Sequence, residues 1–255
     1  MITKQINKWK NSKSTYNSKL LTEGLGIFEY ERKINTKSLK NMLPDKARRV
    51  LDIGSGRGLF TSLLAKKYRN VTVHESDRSL LNQDIIKLYN LTFKTFNLEL
   101  PFPKFNHKFD LIVAKLVLMY IENIDNFASE CQKIILKNGT LLISVTHPIL
   151  WYTRYLENKF NIKEDKNYDK LKSGYFSEYK ISKRIGDNKN LEFEFVNRTI
   201  STYINTFSKY GFRLIEVDEP KIPKSFIKKF PNFNHRTDVP LRLNMRFIRL
   251  EIKHF

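Results

Sequence analysis

Apolar residues follow two rhythms along this 255-residue chain, and the change from one to the other predicts alternating strands and helices. Residues 28–43 place Phe28, Ile34, Leu39, Met42 and Leu43 at helical spacing, and Pro44-Asp45 stops the run. Strand one is read as Arg49–Ile53, its helix as Leu59–Tyr68, strand two as Val71–Glu75, and a second helix as about Ser79–Leu88. Thr92–Asn97 reads as strand three and Phe109–Lys115 as strand four, apolar enough in its middle to be buried on both faces. Asn126–Leu136 reads as a helix, Lys137-Asn138-Gly139 as its C-terminal stop, and Leu141–Val145 as strand five. This alternation implies a parallel sheet.

After strand five the rhythm is lost. Residues 149–197 are rich in aromatic and charged side chains and show no α/β repeat. An insertion of that length is expected to be functional or to have its own small structure. A helix, Ser201–Tyr210, then ends at Gly211, and Phe212–Val217 and Asn244–Lys253 read as two final, antiparallel strands.

The segment Val50–Gly58, V-L-D-I-G-S-G-R-G, carries the strongest chemical signal. A strand runs directly into Gly54, Gly56 and Gly58, and a helical pattern follows. Glycine permits the positive φ of such a turn and lets a ligand approach the backbone. The helix start beyond it presents unpaired N–H groups and a positive dipole end. About twenty residues further on, strand two ends in Glu75, an offset at which a carboxylate can accept bonds from both hydroxyls of a ribose. The spacing is G-x-G-x-G, not the dinucleotide G-x-G-x-x-G, and Asp52 stands two residues before the first glycine. A carboxylate there can order the loop or receive a cationic amino group, and it would repel a pyrophosphate.

At these residues the chain resembles the class I S-adenosylmethionine-dependent methyltransferases, within them the type 11 small-molecule group. L-P-F followed by F-D-L-I-V, L-K-N-G-T-L-L-I-S-V-T-H-P, N-R-T-I-S-T-Y-I-N, K-Y-G-F and D-E-P extend the resemblance over nearly the whole chain. The fold it implies is α/β and Rossmann-like: a mostly parallel seven-stranded sheet, a C-terminal antiparallel hairpin and an insertion after strand five. It implies one methyltransferase domain over residues 1–255. This comprises a helical arm (1–43), a cofactor-binding core (44–148), a substrate-lid insertion (149–197) and a C-terminal helix and hairpin (198–255).

The implied cofactor is S-adenosylmethionine. Asp52, Gly54, Ser55, Gly56 and Gly58 would lie under its methionine portion, Glu75 would hold the ribose, and Ser76 the neighbouring rim. Asn97 and Leu98 would face adenine, while Tyr30 and Arg32 match a position that in relatives covers the cofactor. Asn97 replaces a frequent Asp, Met119 a frequent His, and Asn138 a usual Pro. Lys115 lies at the carboxyl edge of the sheet, where ligands of open α/β sheets bind.

His147, after strand five at the same edge, is the candidate base, since an imidazole titrates near pH ~6.5. A capping or bracing role is the alternative. Tyr152, Tyr155, Tyr175 and Tyr179 are candidates for the substrate wall or for the insertion's own core. Arg198 could bind an acidic substrate group or form a structural ion pair.

Composition narrows the class. Apolar residues are 41% of the chain, enough to fill one α/β core. No run reaches the roughly 18 apolar residues of a membrane span, and the first twenty residues lack a secretory h-region. Cys131 is the only cysteine, which excludes an intramolecular disulfide framework and a cysteine zinc cluster and fits a cytoplasmic setting. No metal-ligand motif occurs, nor the N/D-P-P-Y/F of adenine-amine methylation. The net charge of +20 fits an anionic partner such as RNA, or a compositional bias toward Lys, Asn and Ile. The reading is methyl transfer to O or N of a small metabolite. A tRNA-base methyltransferase and a non-catalytic cofactor-fold scaffold are the alternatives, and the oligomeric state is open.

Overall fold

The computed structural model describes residues 25–75, 87, 89, 91–150, 152–153, 175–176, 178–184 and 192–250. Its chain packs as two compact units. One falls within residues 42–145, 201–217 and 244 onward, the other within residues up to 41, 146–200 and 218–243.

The first of these units carries the main sheet. Its strands are β1 (Val50–Ile53), β2 (Val71–His74), β3 (Thr92–Lys94), β4 (Phe109–Lys115), β5 (Ile135–Thr146), β8 (Phe212–Asp218) and β9 (Arg242–Arg249). They lie in the order β3-β2-β1-β4-β5-β9-β8. The pairs β1–β2, β1–β4, β2–β3 and β4–β5 are parallel, with Val50 opposite both Val71 and Leu111. The bond from Leu250 N–H to Gly211 O joins the end of β9 to the start of β8, so the last pair runs antiparallel. All four residues of β1 are buried, and so are all four of β2. Burial along their whole length, Asp52, Thr72 and His74 included, reflects a sheet covered on both faces.

Helices α3 (Leu59–Lys67), α4 (Ile124–Ile134) and α5 (Ile200–Lys209) flank the sheet strands. Asn123 caps α4, its side chain accepting the Asn126 N–H. Phe127 of α4, Phe207 of α5, Phe212 of β8 and Phe247 of β9 form one buried aromatic run, edge-to-face at Phe127–Phe207 and Phe207–Phe212 and tilted at Phe207–Phe247, with centroids 5.3–6.4 Å apart. Such pairs add roughly 0.5–1.5 kcal/mol each beyond area burial.

Lys137-Asn138-Gly139 do not stop a helix. Helix α4 already ends at Ile134, and these residues belong to β5. The register with β4 jumps from Phe109–Ile135 to Leu111–Thr140, a bulge carried by Asn138 in a left-handed conformation (φ 61°). The tight residue is Gly139, where a Cβ would sit 2.9 Å from Leu136 O. An amide side chain tolerates the left-handed region in a bulge as well as at a helix end, so the tripeptide alone does not distinguish the two.

In the other unit the expected single helix over residues 28–43 is α1 (Leu25–Glu29), a π-turn (Tyr30–Asn35) and α2 (Thr36–Asn41). The wider turn brings Tyr30 and Asn35, five apart, to buried positions on one side. The insertion contains a two-stranded antiparallel sheet, β6 (Tyr179–Arg184) with β7 (Glu192–Asn197). Helix α6 (Lys224–Lys229) and a 3-10 turn (Pro231–Arg236) occupy the proline-rich segment before β9. Tyr30, Leu150, Ile222, Phe226, Phe233 and Leu241 form this unit's core. The expected helix at 79–88 falls outside the described residues except for Lys87. No described helix is long and apolar enough to cross a membrane.

Candidate cofactor site

The strand order reverses between β1 and β4, which places a crevice at their carboxyl ends. Gly54, Gly56 and Gly58 line it with φ values of 67°, 54° and 78°. A Cβ on Gly54 would strike the Val117 side chain, whereas one on Gly56 would meet nothing within 4 Å. The loop is therefore closely backed at its first glycine and open at its second.

Backbone bonds fix the loop to the end of β2. Gly54 and Ser55 N–H both donate to His74 O, at 3.0 and 3.1 Å, and Gly58 N–H donates to Ser55 O at 3.0 Å. Gly56 N–H donates to the Glu75 carboxylate at 2.6 Å. Asp52, beneath the loop, accepts from the Thr61 hydroxyl of α3 at 2.6 Å. Ser55 Oγ is buried without a hydrogen-bond partner.

Burial lifts the Asp52 pKa to about 7, opposed by the Thr61 hydroxyl, reinforced by the Glu75 charge and opposed again by Lys115. The two carboxylates thus repel each other across a partly desolvated loop. A ligand bringing positive charge would relieve that repulsion. The open space at Gly56, the orphaned Ser55 hydroxyl and this acidic pair fit the cationic, hydroxyl-rich S-adenosylmethionine.

On the opposite lip, Lys115 ends β4 and Leu116 follows with φ 57°, its N–H bonded to Ser144 O at 2.7 Å. A branched side chain in the left-handed region costs about 1–2 kcal/mol and is characteristic of constrained sites. It sets Val117 against Gly54. The third rim begins at Asn97, whose Oδ1 accepts the Glu99 N–H at 3.0 Å, with Leu98 buried beside it. Glu99 in turn accepts Glu122 N–H and Asn123 N–H at 2.6 and 3.1 Å. Asp52, the glycine loop, Glu75, Asn97, Leu98 and Lys115 accordingly all lie within one unit.

The other proposed residues, Ser76 apart, belong to the second unit. Tyr30 is fully buried and donates its hydroxyl to Pro220 O at 2.9 Å, and burial raises its pKa far above the ordinary value. Arg32 pairs with both oxygens of Glu29 at 3.1 Å, one helical turn away. Arg198 is buried, Tyr152 half-buried, and Tyr175 accepts the Ile200 N–H at 3.3 Å. Tyr179 begins β6. Ser76 and Tyr155 lie outside the described residues.

His147 is held at both ring nitrogens. Nδ1 accepts the Ile149 N–H at 3.1 Å, so Nε2 carries the proton and donates to Glu219 at 2.5 Å. Burial lowers its pKa, partly offset by Glu219. The ring is therefore neutral, and acting as a base requires Nδ1 to give up Ile149.

Four residues around the cofactor crevice escape a sequence reading: Thr61, His74, Leu116 and Val117. Only His74 leaves a trace, a polar residue ending the otherwise apolar V-T-V-H. Glu219, in D-E-P, likewise gives no sign that it faces His147.

Residues 27–217 match the methyltransferase domain family. A methyltransferase of Bacillus subtilis, YbaJ, is 28% identical over 155 residues, 59% of this chain and 61% of that protein. The crystal structure of a Listeria monocytogenes protein described as an S-adenosylmethionine-dependent methyltransferase superposes with a TM-score of 0.67 at 22% identity. The match covers 84% of this chain and 96% of that one. The N-methyltransferase NodS of Bradyrhizobium japonicum, in complex with S-adenosylhomocysteine, gives a TM-score of 0.53 at 14% identity and covers 88% of each chain. The chain belongs to the methyltransferase domain family and has the class I fold of these S-adenosylmethionine-dependent methyltransferases.

Proposed function

We propose that this protein moves a methyl group from S-adenosylmethionine to an oxygen or nitrogen of a small metabolite. The observation that carries the reading is the open position at Gly56, flanked by the Asp52 and Glu75 carboxylates. The sulfonium supplies the electrophilic methyl; the protein supplies alignment and a dry site. Asp52 and the glycine loop hold the methionine end, Glu75 the ribose, and Asn97 with Leu98 the adenine. Lys115 stands at the crevice lip. Residues 149–197 serve as the substrate-side insertion, with Tyr152, Tyr155, Tyr175 and Tyr179 as its aromatic walls, and Arg198, directly after it, supplies a cation. Tyr30 and Arg32 of the N-terminal arm remain candidate cofactor-binding residues by the resemblance, and the protein works in the cytoplasm. The N-methyltransferase among the structural relatives supports a nitrogen acceptor.

RNA as acceptor is the second reading. Exposed Lys46, Arg48, Arg49, Arg69, Lys108 and Lys137 precede β1, β2, β4 or the paired part of β5, so the topology gathers them at the amino edge of the sheet. Binding through phosphates loses affinity steeply with salt, and pocket binding does not.

A thermal-shift titration with S-adenosylmethionine, S-adenosylhomocysteine and NAD tests the cofactor site. Stabilisation by the first two and not by NAD is expected. No shift with any of the three favours a non-catalytic scaffold. Acceptor screens of metabolites and tRNA at two salt concentrations then separate the two substrate readings.

A further inference from the structure

His74 ends β2 with no exposed surface, opposite Ile53 of β1 and Lys94 of β3. The other residues of that strand are Val71, Thr72 and Val73, and an apolar side chain would fill the same space without a desolvation cost. The imidazole instead uses both nitrogens. Its Nε2–H donates to Phe96 O at 2.9 Å. Its Nδ1 takes a second, longer share of the Gly54 N–H at 3.3 Å, alongside the 3.0 Å bond to the His74 carbonyl. The ring also lies against Phe96, centroids 4.1 Å apart. Burial pushes its pKa down to about 4, so the ring is neutral and this tautomer persists.

Gly54 would have a partner in the His74 carbonyl without the ring. What the ring alone supplies is the donor to Phe96 O, the residue immediately before Asn97. Beyond it, Asn97 binds Glu99, and Glu99 binds the N-terminal approach to α4. Residue 74 thus joins the glycine loop, through its carbonyl, to the Asn97–Leu98 rim, through its ring.

We infer that His74 is a positioning residue of the cofactor site, its Nε2–H setting the Asn97–Leu98 rim relative to the glycine loop. The inference rests on the proposed reading that this rim faces adenine.

The test compares His74→Phe, which keeps an aromatic ring against Phe96 but removes the donor, with His74→Gln, whose amide can restore it. Calorimetry gives the S-adenosylhomocysteine Kd of each full-length protein below its melting temperature, and unliganded melting curves monitor stability. His74→Phe is expected to weaken binding about tenfold or more, and His74→Gln to stay within about threefold of wild type, as loss and restoration of one buried hydrogen bond require. Wild-type affinity in a folded His74→Phe protein would make the histidine a core filler and overturn the inference. Equal loss in both variants would assign the effect to ring shape, with the same consequence. Failure of the wild type itself to bind would instead overturn the cofactor reading on which the inference stands.

Discussion

The Glu75 carboxylate accepts the Gly56 N–H at 2.6 Å, so the acid proposed to hold the ribose also holds the loop beneath it. A charge-assisted bond of this kind is stronger than one between neutral partners. It shapes the loop before any ligand arrives, and the carboxylate has further lone pairs with which to meet hydroxyl groups. Glu75→Ala should lose both contributions and raise the Kd for S-adenosylhomocysteine by more than about a hundredfold, as two hydrogen bonds to a charged group of roughly 1.5–3 kcal/mol each require. Glu75→Gln should lose less, because its amide oxygen still accepts. Titration calorimetry of the two variants reads this directly; similar affinities in Glu75→Ala and wild type would remove Glu75 from the site.

Gly54 and Gly56 should respond differently to a side chain. Gly54→Ala places a methyl against Val117 and in the left-handed region, so it should destabilise the fold. Part of that loss should return in the double variant with Val117→Ala, which makes room without curing the φ of 67°. In Gly56→Val the Cβ meets no neighbouring atom, and the left-handed backbone adds a conformational cost of about 1–2 kcal/mol. The side chain fills the open position, however, and should abolish cofactor binding in a protein that still folds. Melting curves with paired binding measurements distinguish the two. Intact binding by Gly56→Val would show that the gap is not where the ligand lies.

Strands one to five were legible as positions along the chain because β1, β2, β4 and β5 each carry a largely apolar run beside turn residues. The glycine loop was legible because three positive-φ positions select glycine. Its supports were not. Thr61 is one polar residue in a helix, and His74 one in a strand; neither type nor spacing reveals a bond to a residue distant in sequence. The β5 bulge was misread because Asn138-Gly139 suits a helix end as well as a bulge. The π-turn arises from the burial of Tyr30 together with Asn35, a packing outcome that a period of 3.6 does not encode. Pro220, Pro223, Pro231 and Pro240 obscured α6, although Phe226, Phe230 and Phe233 have helical spacing.

The Asp52 pKa of about 7 gives cofactor affinity a pH dependence. In the free protein the folded-state value lies above the ordinary 3.8, so this group's contribution to stability is complete below about pH 4 and is lost as pH rises through 7. A bound ammonium favours the ionised carboxylate, so binding below pH 7 must release a proton. Affinity for S-adenosylmethionine should therefore rise between about pH 5 and 7 and level off above. Calorimetry in buffers of different ionisation enthalpy would count the proton. Asp52→Asn should bind more weakly and without this slope. A wild-type affinity that is flat from pH 5 to 8 would show that Asp52 does not meet the cofactor's positive end.

His147 provides a test in which catalysis and architecture separate. Its neutral ring spans Ile149 N–H and Glu219, and its own backbone bonds to Leu241 O and Leu150 N–H. His147→Ala strips the side-chain partner from a backbone donor and should cost about 1–3 kcal/mol of stability. Because burial holds the folded-state pKa below the ordinary 6.5, the wild-type contribution is complete above that value. It is lost as pH falls, when the unfolded chain takes up the proton first. His147→Ala should accordingly show a shallower loss of melting temperature below pH 6.5. If the residue is also the base, turnover should fall with cofactor affinity unchanged, and the acid limb of the pH–rate profile should move in Glu219→Gln as its partner's pKa drops. A stability loss accompanied by wild-type turnover and an unmoved profile would confine His147 to bracing the turn after β5.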